Sequence, residues 1–167
     1  IPLRLVGSEM CIRDRDTGDL SAAAMERGFE TLRRFLELAN SHQVEQVVTA
    51  ATSAVREAPN GRDFLQSIKD ELGIEVDLVS GPEEARLIYL GVLSGMSFVE
   101  KPHLILDICG GSTELILADS RDARALTSTR VGAVRLQRDF IKEEPISPQR
   151  RSFLQSVSYT HLRAHET

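Results

Sequence analysis

Residues 104–119 read LILDICGGSTELILAD, an apolar run, a small-residue turn and a second apolar run. Leu104, Ile105 and Leu106 are continuous and apolar, as in a strand covered on both faces. Asp107 interrupts the run where the strand is expected to end. Gly110, Gly111 and Ser112 carry little side chain to block an approach to the backbone. Thr113 to Ala118 resumes apolar and β-prone, with one carboxylate, Glu114, near its start. A carboxylate at a strand end beside a bare glycine turn suits a magnesium ion and a phosphate together. Backbone N–H groups of the turn can hold phosphate oxygens, and Asp107 and Glu114 can reach a hard cation directly or through its waters. The turn is neither of the common phosphate loops. A P-loop closes with Gly-Lys-Ser/Thr before a helix, and a Rossmann turn also opens a helix. This turn has no lysine and leads into a strand. An ordinary glycine hairpin beside an aspartate has the same local pattern, so the neighbouring segments decide.

Upstream lies VSGPEEARLIYLGVLSG, residues 79–95. Ser80 and Glu83 are spaced as a capping box. The helix after them is apolar nearly all round and is expected to be buried. Glu83 and Glu84 occupy its first turn, where acidic side chains favour the helix dipole. Glu84 can alternatively point into a cleft and act as a general base on water. Gly95 ends this helix and residues 96–101 form a connector. Downstream of the hairpin, residues 125–130 read as a third strand. Gly132 allows a close backbone approach before AVRLQRDF, the start of another helix. Pro145 and Pro148 mark the next loop.

Before residue 79 the pattern alternates helix and strand. Ser21 is a candidate N-cap, and Met25, Phe29, Leu32, Leu36 and Ala39 recur at helical spacing up to Asn40 and Ser41. Val44 to Ala50 reads as a strand on Val44, Val47 and Val48. AATSAVREAPNG comes next, with small residues that leave the backbone open and Arg56 just beyond. Arg56 reads either as a surface arginine or as a bidentate anion ligand. Asn60 can cap a second helix with Phe64, Ile68 and Leu72 on one face and Gly73 at its C-terminus. Ile74, Val76 and Leu78 then alternate with Glu75 and Asp77, a half-exposed edge strand.

Composition narrows the classes. The 167 residues suffice for one domain or two small lobes. The formal net charge of −5 means that a polyanionic partner needs a local basic patch. No stretch has transmembrane length and no start resembles a signal peptide. Cys11 and Cys109 make neither a disulfide framework nor a zinc site, and His42, His103, His161 and His165 lack ligand spacing and read as surface residues. A cytoplasmic, reducing setting is expected. Arg121, Arg124, Arg130, Arg135 and Arg138 read as a solvated face. Residues 1–15 and 156–167 show no clean period and read as non-native, adapter-like segments around an interior fragment. The fragment is expected to divide into residues 16–100, the C-terminal part of one lobe, and residues 101–155, the N-terminal part of a second.

Four stretches in order, TAATSAVREAPNGRDF, VSGPEEARLIYLGVL, LILDICGGSTELIL and RVGAVRL, together resemble the exopolyphosphatase and guanosine pentaphosphate phosphohydrolase family, across residues 16–155. The resemblance implies an α/β fold of the actin, Hsp70 and sugar-kinase superfamily, two ribonuclease-H-like lobes, both incomplete here. Glu84 matches the proposed general base. Asp107 and Glu114 match positions associated with Mg2+. Gly110, Gly111, Ser112 and Thr113 match the phosphate-holding turn, and Arg56 matches an arginine that reaches substrate phosphate. The implied reaction is hydrolysis of a terminal phosphoanhydride of polyphosphate or guanosine pentaphosphate, carried by positioning and charge stabilisation. No nucleic-acid polymer and no membrane is implied, and a homodimer is open to the complete parent. An actin-like ATPase or sugar kinase, or a non-catalytic phosphate-binding module, are the competing classes.

Two departures stand out. The family's turn reads Asp-Ile-Gly-Gly-Gly-Ser, with Cys109 here at the first glycine. If that position needs positive φ, strain of about 1–3 kcal/mol follows; the cysteine is otherwise expected to be a tolerated variant without a redox role. The family's first phosphate loop, Asp-x-Gly-Ser-Asn-Ser, is absent from this sequence. The chain as written is therefore expected to release little or no phosphate from polyphosphate, and a malachite-green assay with Mg2+ on the purified chain checks this; robust turnover overturns it.

Overall fold

A computed structural model of the chain describes residues 18–99, 101–141 and 146–163. Residues 1–15 and Pro145, singled out above, lie outside these. The chain forms two compact units, Ile1–Val79 and Ser80–Thr167. No helix among the described residues is long and apolar enough to cross a membrane.

In the first unit, helix α1 (Ala22–Ser41) starts at the predicted cap, with the Ser21 hydroxyl accepting from Ala24 N at 3.3 Å. Its buried Phe29 meets Phe64 edge-on, with ring centroids 5.4 Å apart. Strand β1 (Ala50–Ala51) and the one-turn helix α2 (Ser53–Arg56) come next, then helix α3 (Gly61–Leu72) and strand β2 (Asp77–Leu78). β1 and β2 are parallel, joined through α3 as a crossover, with Ala50 opposite Asp77 and Ala51 opposite Leu78. Gly73 takes the left-handed conformation (φ 69°) that ends α3.

Two expectations for this unit are corrected. The strand predicted over Val44–Ala50 shrinks to its last residue within β1, and Val44, Val47 and Val48 are 50, 46 and 76% exposed. A strand needs a partner, and among the described residues β1 has only the two-residue β2. The alternation over Ile74–Leu78 does persist, half-buried against exposed. Asn60 precedes α3 but its side chain does not cap it. Asn60 Oδ1 instead accepts from Leu20 N at 2.8 Å, and Asn60 Nδ2 donates to Leu20 O at 3.0 Å. That exchange ties the chain before α1 to the start of α3.

The second unit begins with helix α4 (Gly81–Gly95), which lies ahead of the 96–101 connector yet packs on the sheet beyond it. Strands β3 (His103–Ile108), β4 (Thr113–Ala118) and β5 (Ala123–Thr129) form an antiparallel sheet in sequence order. Ala85 and Tyr89 of α4 meet Ile116 and Ala118 of β4 in the core, with Ile88, Ile105 and Leu126 around them. Tyr89 Oη also donates to Asp119 O at 3.0 Å. Asp119 organises the β4–β5 turn: its Oδ1 accepts from Arg121 N and Asp122 N, and its Oδ2 from Arg124. These donors hold its carboxyl down at about 2. Helix α5 (Ala133–Phe140) comes after the sheet, and helix α6 (Pro148–Arg163) runs past the boundary expected at residue 156. Phe140 and Phe153 join them, with centroids 5.7 Å apart.

Here too the solvent corrects the sequence. α4 is not buried all round: Leu87 and Leu90 are 43 and 42% exposed, because the helix meets the sheet along one stripe. β3 does not end at Asp107 but continues to Ile108, and it is covered on one face only. Leu104, Leu106 and Ile108 point away from α4 and are 68, 54 and 62% exposed. His103 is half-buried: its ring packs edge-on to Phe98 at 4.7 Å and its Nδ1 is covered without a hydrogen bond.

The hairpin turn is clamped by the segment after β5. Ala133 N donates to Cys109 O at 2.9 Å and Arg135 N to Gly110 O at 3.0 Å, so the first turn of α5 docks on the turn's carbonyls. Gly132 makes this approach possible. A Cβ there would lie 2.4 Å from Gly110 O and 2.5 Å from the carbonyl carbons of Gly110 and Gly111. Gly132→Ala is therefore expected to destabilise the second unit by about 1–3 kcal/mol, as overpacking against immovable backbone does. Urea unfolding followed by circular dichroism measures this, and an unchanged midpoint contradicts the clamp.

Candidate functional site

The site is built by strand register. Residues two apart on a strand share a face, and directly paired residues of neighbouring strands share it too. Asp107 lies opposite Glu114, and Glu114 opposite Ser128, on the face that meets α4. Glu114 has no solvent exposure. Its Oε1 accepts from Ser128 Oγ at 2.7 Å, and its Oε2 is buried with no hydrogen-bond donor. Burial pushes this carboxyl up. Ser128 and Ser112 oppose the shift, and the charges of Glu84 and Asp107 add to it. The Ser112 hydroxyl is near enough to favour the charged form, but it makes no hydrogen bond of ordinary length and angle.

Cys109 extends the same face beyond Asp107. Its Sγ lies 3.5 Å from Asp107 Oδ2. Burial first, and Asp107 next, push its thiol up to about 12. The strain expected of a cysteine here does not arise. Gln43 is the one non-glycine with positive φ among the described residues, and Gly110 and Gly111 do not use positive φ either. The turn's glycines do not serve a left-handed backbone, and the crowding beside them falls on Gly132, whose own Cβ would meet their backbone.

One ligand atom from each of Asp107, Cys109 and Glu114 lies within 4.8 Å of the other two. These residues can hold a metal ion. The fit is chemical as well as geometric, since a buried carboxylate oxygen without a donor is the group that a cation satisfies. Ser112, 1% exposed, adds a buried hydroxyl that makes no hydrogen bond of ordinary length and angle.

The remaining expected residues divide. Glu84, 8% exposed, sits in the first turn of α4, and its charge reaches both Glu114 and Cys109. Its neighbour Glu83 faces outward and pairs with Arg86 at 2.7 Å. Gly110 and Gly111 form the turn, their carbonyls held by Arg135 N and Arg135 Nε. Thr113 has its hydroxyl committed to Val131 O, while its carbonyl accepts from Thr129 Oγ1 at 3.1 Å. That hydroxyl stabilises the β4–β5 side of the turn. Arg56 belongs to the first unit, where its Nη1 donates to Val79 O at 2.8 Å. The cluster thus joins Glu84, Asp107, Glu114 and the Gly110–Thr113 turn in one unit, and Arg56 lies in the other.

Three contributors carry no clear signal in the sequence. Ser128 is visible only once β5 is registered against Glu114. Arg135, which reads as part of a solvated face, supports the turn. Cys109 reads as a tolerated variant, yet its thiol lies among the carboxylates.

Comparisons with known proteins agree on one family. The model of the Ppx/GppA phosphatase family matches residues 11–166. The chain is 39% identical over 131 residues to a guanosine-5'-triphosphate,3'-diphosphate pyrophosphatase of Photobacterium profundum, covering 78% of this chain and 26% of that protein. A protein of the same description from Vibrio vulnificus is 38% identical over 128 residues, again covering 26% of its length. The crystal structure of an exopolyphosphatase from Cytophaga hutchinsonii superposes with a TM-score of 0.84 at 30% identity, over 87% of this chain and 46% of that one. The chain therefore spans about a quarter of the length of the two pyrophosphatases.

The carboxyl of Glu114 gives a pH signature. Its folded pKa is raised, so the fold favours the protonated form. The stability it contributes is present below its unfolded value, near 4.5, and is lost as pH rises through the folded value. Without added cation, Glu114→Gln should raise Tm at pH 8 by a few degrees, about 2–4 °C for each kcal/mol recovered. The gain should vanish at pH 4. Thermal melts at both values check this, and a lower Tm for the glutamine variant at pH 8 contradicts it.

Proposed function

The chain belongs to the Ppx/GppA phosphatase family, and we propose that its protein hydrolyses terminal phosphoanhydride bonds of inorganic polyphosphate or guanosine pentaphosphate. The observation that carries this reading is the placement of the nearly buried Glu84 at the start of α4, in the same unit as the buried Glu114 at the end of a glycine hairpin and near enough for its charge to be felt there. Glu84 is the general base that takes a proton from the attacking water. Two further features support it. Pro82 and the Ser80 cap start the helix firmly, so the Glu84 backbone is fixed. The second unit's hairpin, with its buried and unpartnered Ser112 hydroxyl, offers a donor for a phosphate oxygen.

Three carboxylates repel a phosphate, so the reading includes a divalent cation, Mg2+ by resemblance, held by Asp107 and Glu114. When bound, the cation neutralises phosphate charge as it develops in the transition state. The protein's own part is positional. β3 and β4 set the two carboxylates opposite each other, Ser128 orients Glu114, and α5 holds the turn so that Gly110, Gly111, Ser112 and Thr113 present backbone N–H groups to the phosphate. Arg56 is a further phosphate ligand on the strength of the TAATSAVREAPNGRDF stretch alone. The reading involves no nucleic-acid polymer and no membrane, and it suits a cytoplasmic setting and a homodimer.

In the complete protein, Glu84→Gln should lower phosphate release from both substrates by about 10²–10⁴-fold, the range of a lost general base, with an unchanged circular dichroism spectrum. Turnover at the wild-type rate removes Glu84 from this role.

A further inference from the structure

The turn's cysteine changes what the carboxylates can bind. Asp107, Cys109 and Glu114 offer two oxygens and one sulfur within 4.8 Å of one another. An aspartate–glutamate pair alone is a hard-cation site. A thiolate among the ligands shifts the preference toward zinc-class ions, which accept sulfur and oxygen together. A thiol near two acids is by itself ordinary. What points to a ligand is Glu114, one of the three, which is fully buried and whose Oε2 makes no hydrogen bond of ordinary length and angle.

Resting on the reading that Asp107 and Glu114 hold a cation, we propose that this chain's site is a thiolate–dicarboxylate site for a zinc-class divalent ion, with Cys109 Sγ as a direct ligand. The carboxylates still accept Mg2+; the sulfur adds an affinity that Mg2+ cannot use. Three side-chain ligands leave a fourth position of a tetrahedral ion open to water or a phosphate oxygen. Metal–sulfur and metal–oxygen bonds of about 2.0–2.3 Å place tetrahedral ligands roughly 3.3–3.8 Å apart. The cluster therefore needs to close by about 1–1.5 Å at its widest, which rotation of the Cys109 and Asp107 side chains supplies. On binding, the Sγ–metal bond forms as the S–H proton leaves to solvent, replacing the weak contact to Asp107 Oδ2.

The test uses the full chain with Cys11→Ser, so that Cys109 is its single thiol. Titration with Cd2+, a spectroscopic stand-in for zinc, should produce a thiolate-to-cadmium charge-transfer band in the ultraviolet that saturates at one equivalent. Zn2+ should erase the band, and a large excess of Mg2+ should leave most of it. Adding Cys109→Gly or Cys109→Ser should abolish the band and weaken Zn2+ binding at least about 10-fold by calorimetry, while Mn2+ still binds. Glu114→Gln should lose Mn2+ and Cd2+ alike with an unchanged circular dichroism spectrum. Binding of Mn2+ or Mg2+ to the Cys11→Ser chain with no cadmium–thiolate band overturns Cys109 as a ligand and leaves the carboxylate site standing. Failure of every cation to bind overturns both.

Discussion

A carboxylate with no solvent exposure sits on the middle strand of a three-stranded sheet. Burying Glu114 costs free energy, and the second unit is arranged around limiting that cost. Ser128 donates to one oxygen, and the other is left without a donor. An isolated unmet acceptor of this kind is expensive in a fold that needs only to be stable. In a fold that binds a cation, it is the binding energy held in readiness. On the proposed cation-binding reading, stability and function oppose each other at this position.

The glycine turn before that carboxylate is held by the segment after β5. Glycine usually signals an unusual backbone angle, but Gly110 and Gly111 do not adopt one. The tight contact is with Gly132, which lies against their backbone with no room for a Cβ of its own. The first turn of α5 then donates to the carbonyls of Cys109 and Gly110. The turn's carbonyls are thereby engaged, and rigidity comes from packed backbone rather than from a strained conformation.

α4 links the two requirements. Its apolar stripe, Ala85 and Tyr89, fixes it on β4 and β5, and its first turn carries Glu84 toward Glu114. The outward Glu83 is occupied with Arg86. Adjacent glutamates on one helix turn thus meet different surroundings, because neighbouring positions on a helix point about 100° apart.

The sequence alone determined the parts that depend on near neighbours. The Ser21 and Ser80 caps, the left-handed Gly73, the hairpin around Gly110–Gly111 and the family itself are legible there, because each depends on residues a few positions apart or on ordered motifs. Tertiary structure decided the rest. Asn60 has the pattern of a cap, yet bonds Leu20, 40 residues away. Val44, Val47 and Val48 have the pattern of a strand, yet lack a described partner. Leu104, Ile105 and Leu106 have the pattern of a doubly covered strand, yet α4 takes only the face that Ile105 is on. Ser128 reaches Glu114 across 14 residues, and Cys109 acquires its acidic surroundings only when β3 and β4 pair. Burial and register come from segments meeting in space, and no local pattern records which segments will meet.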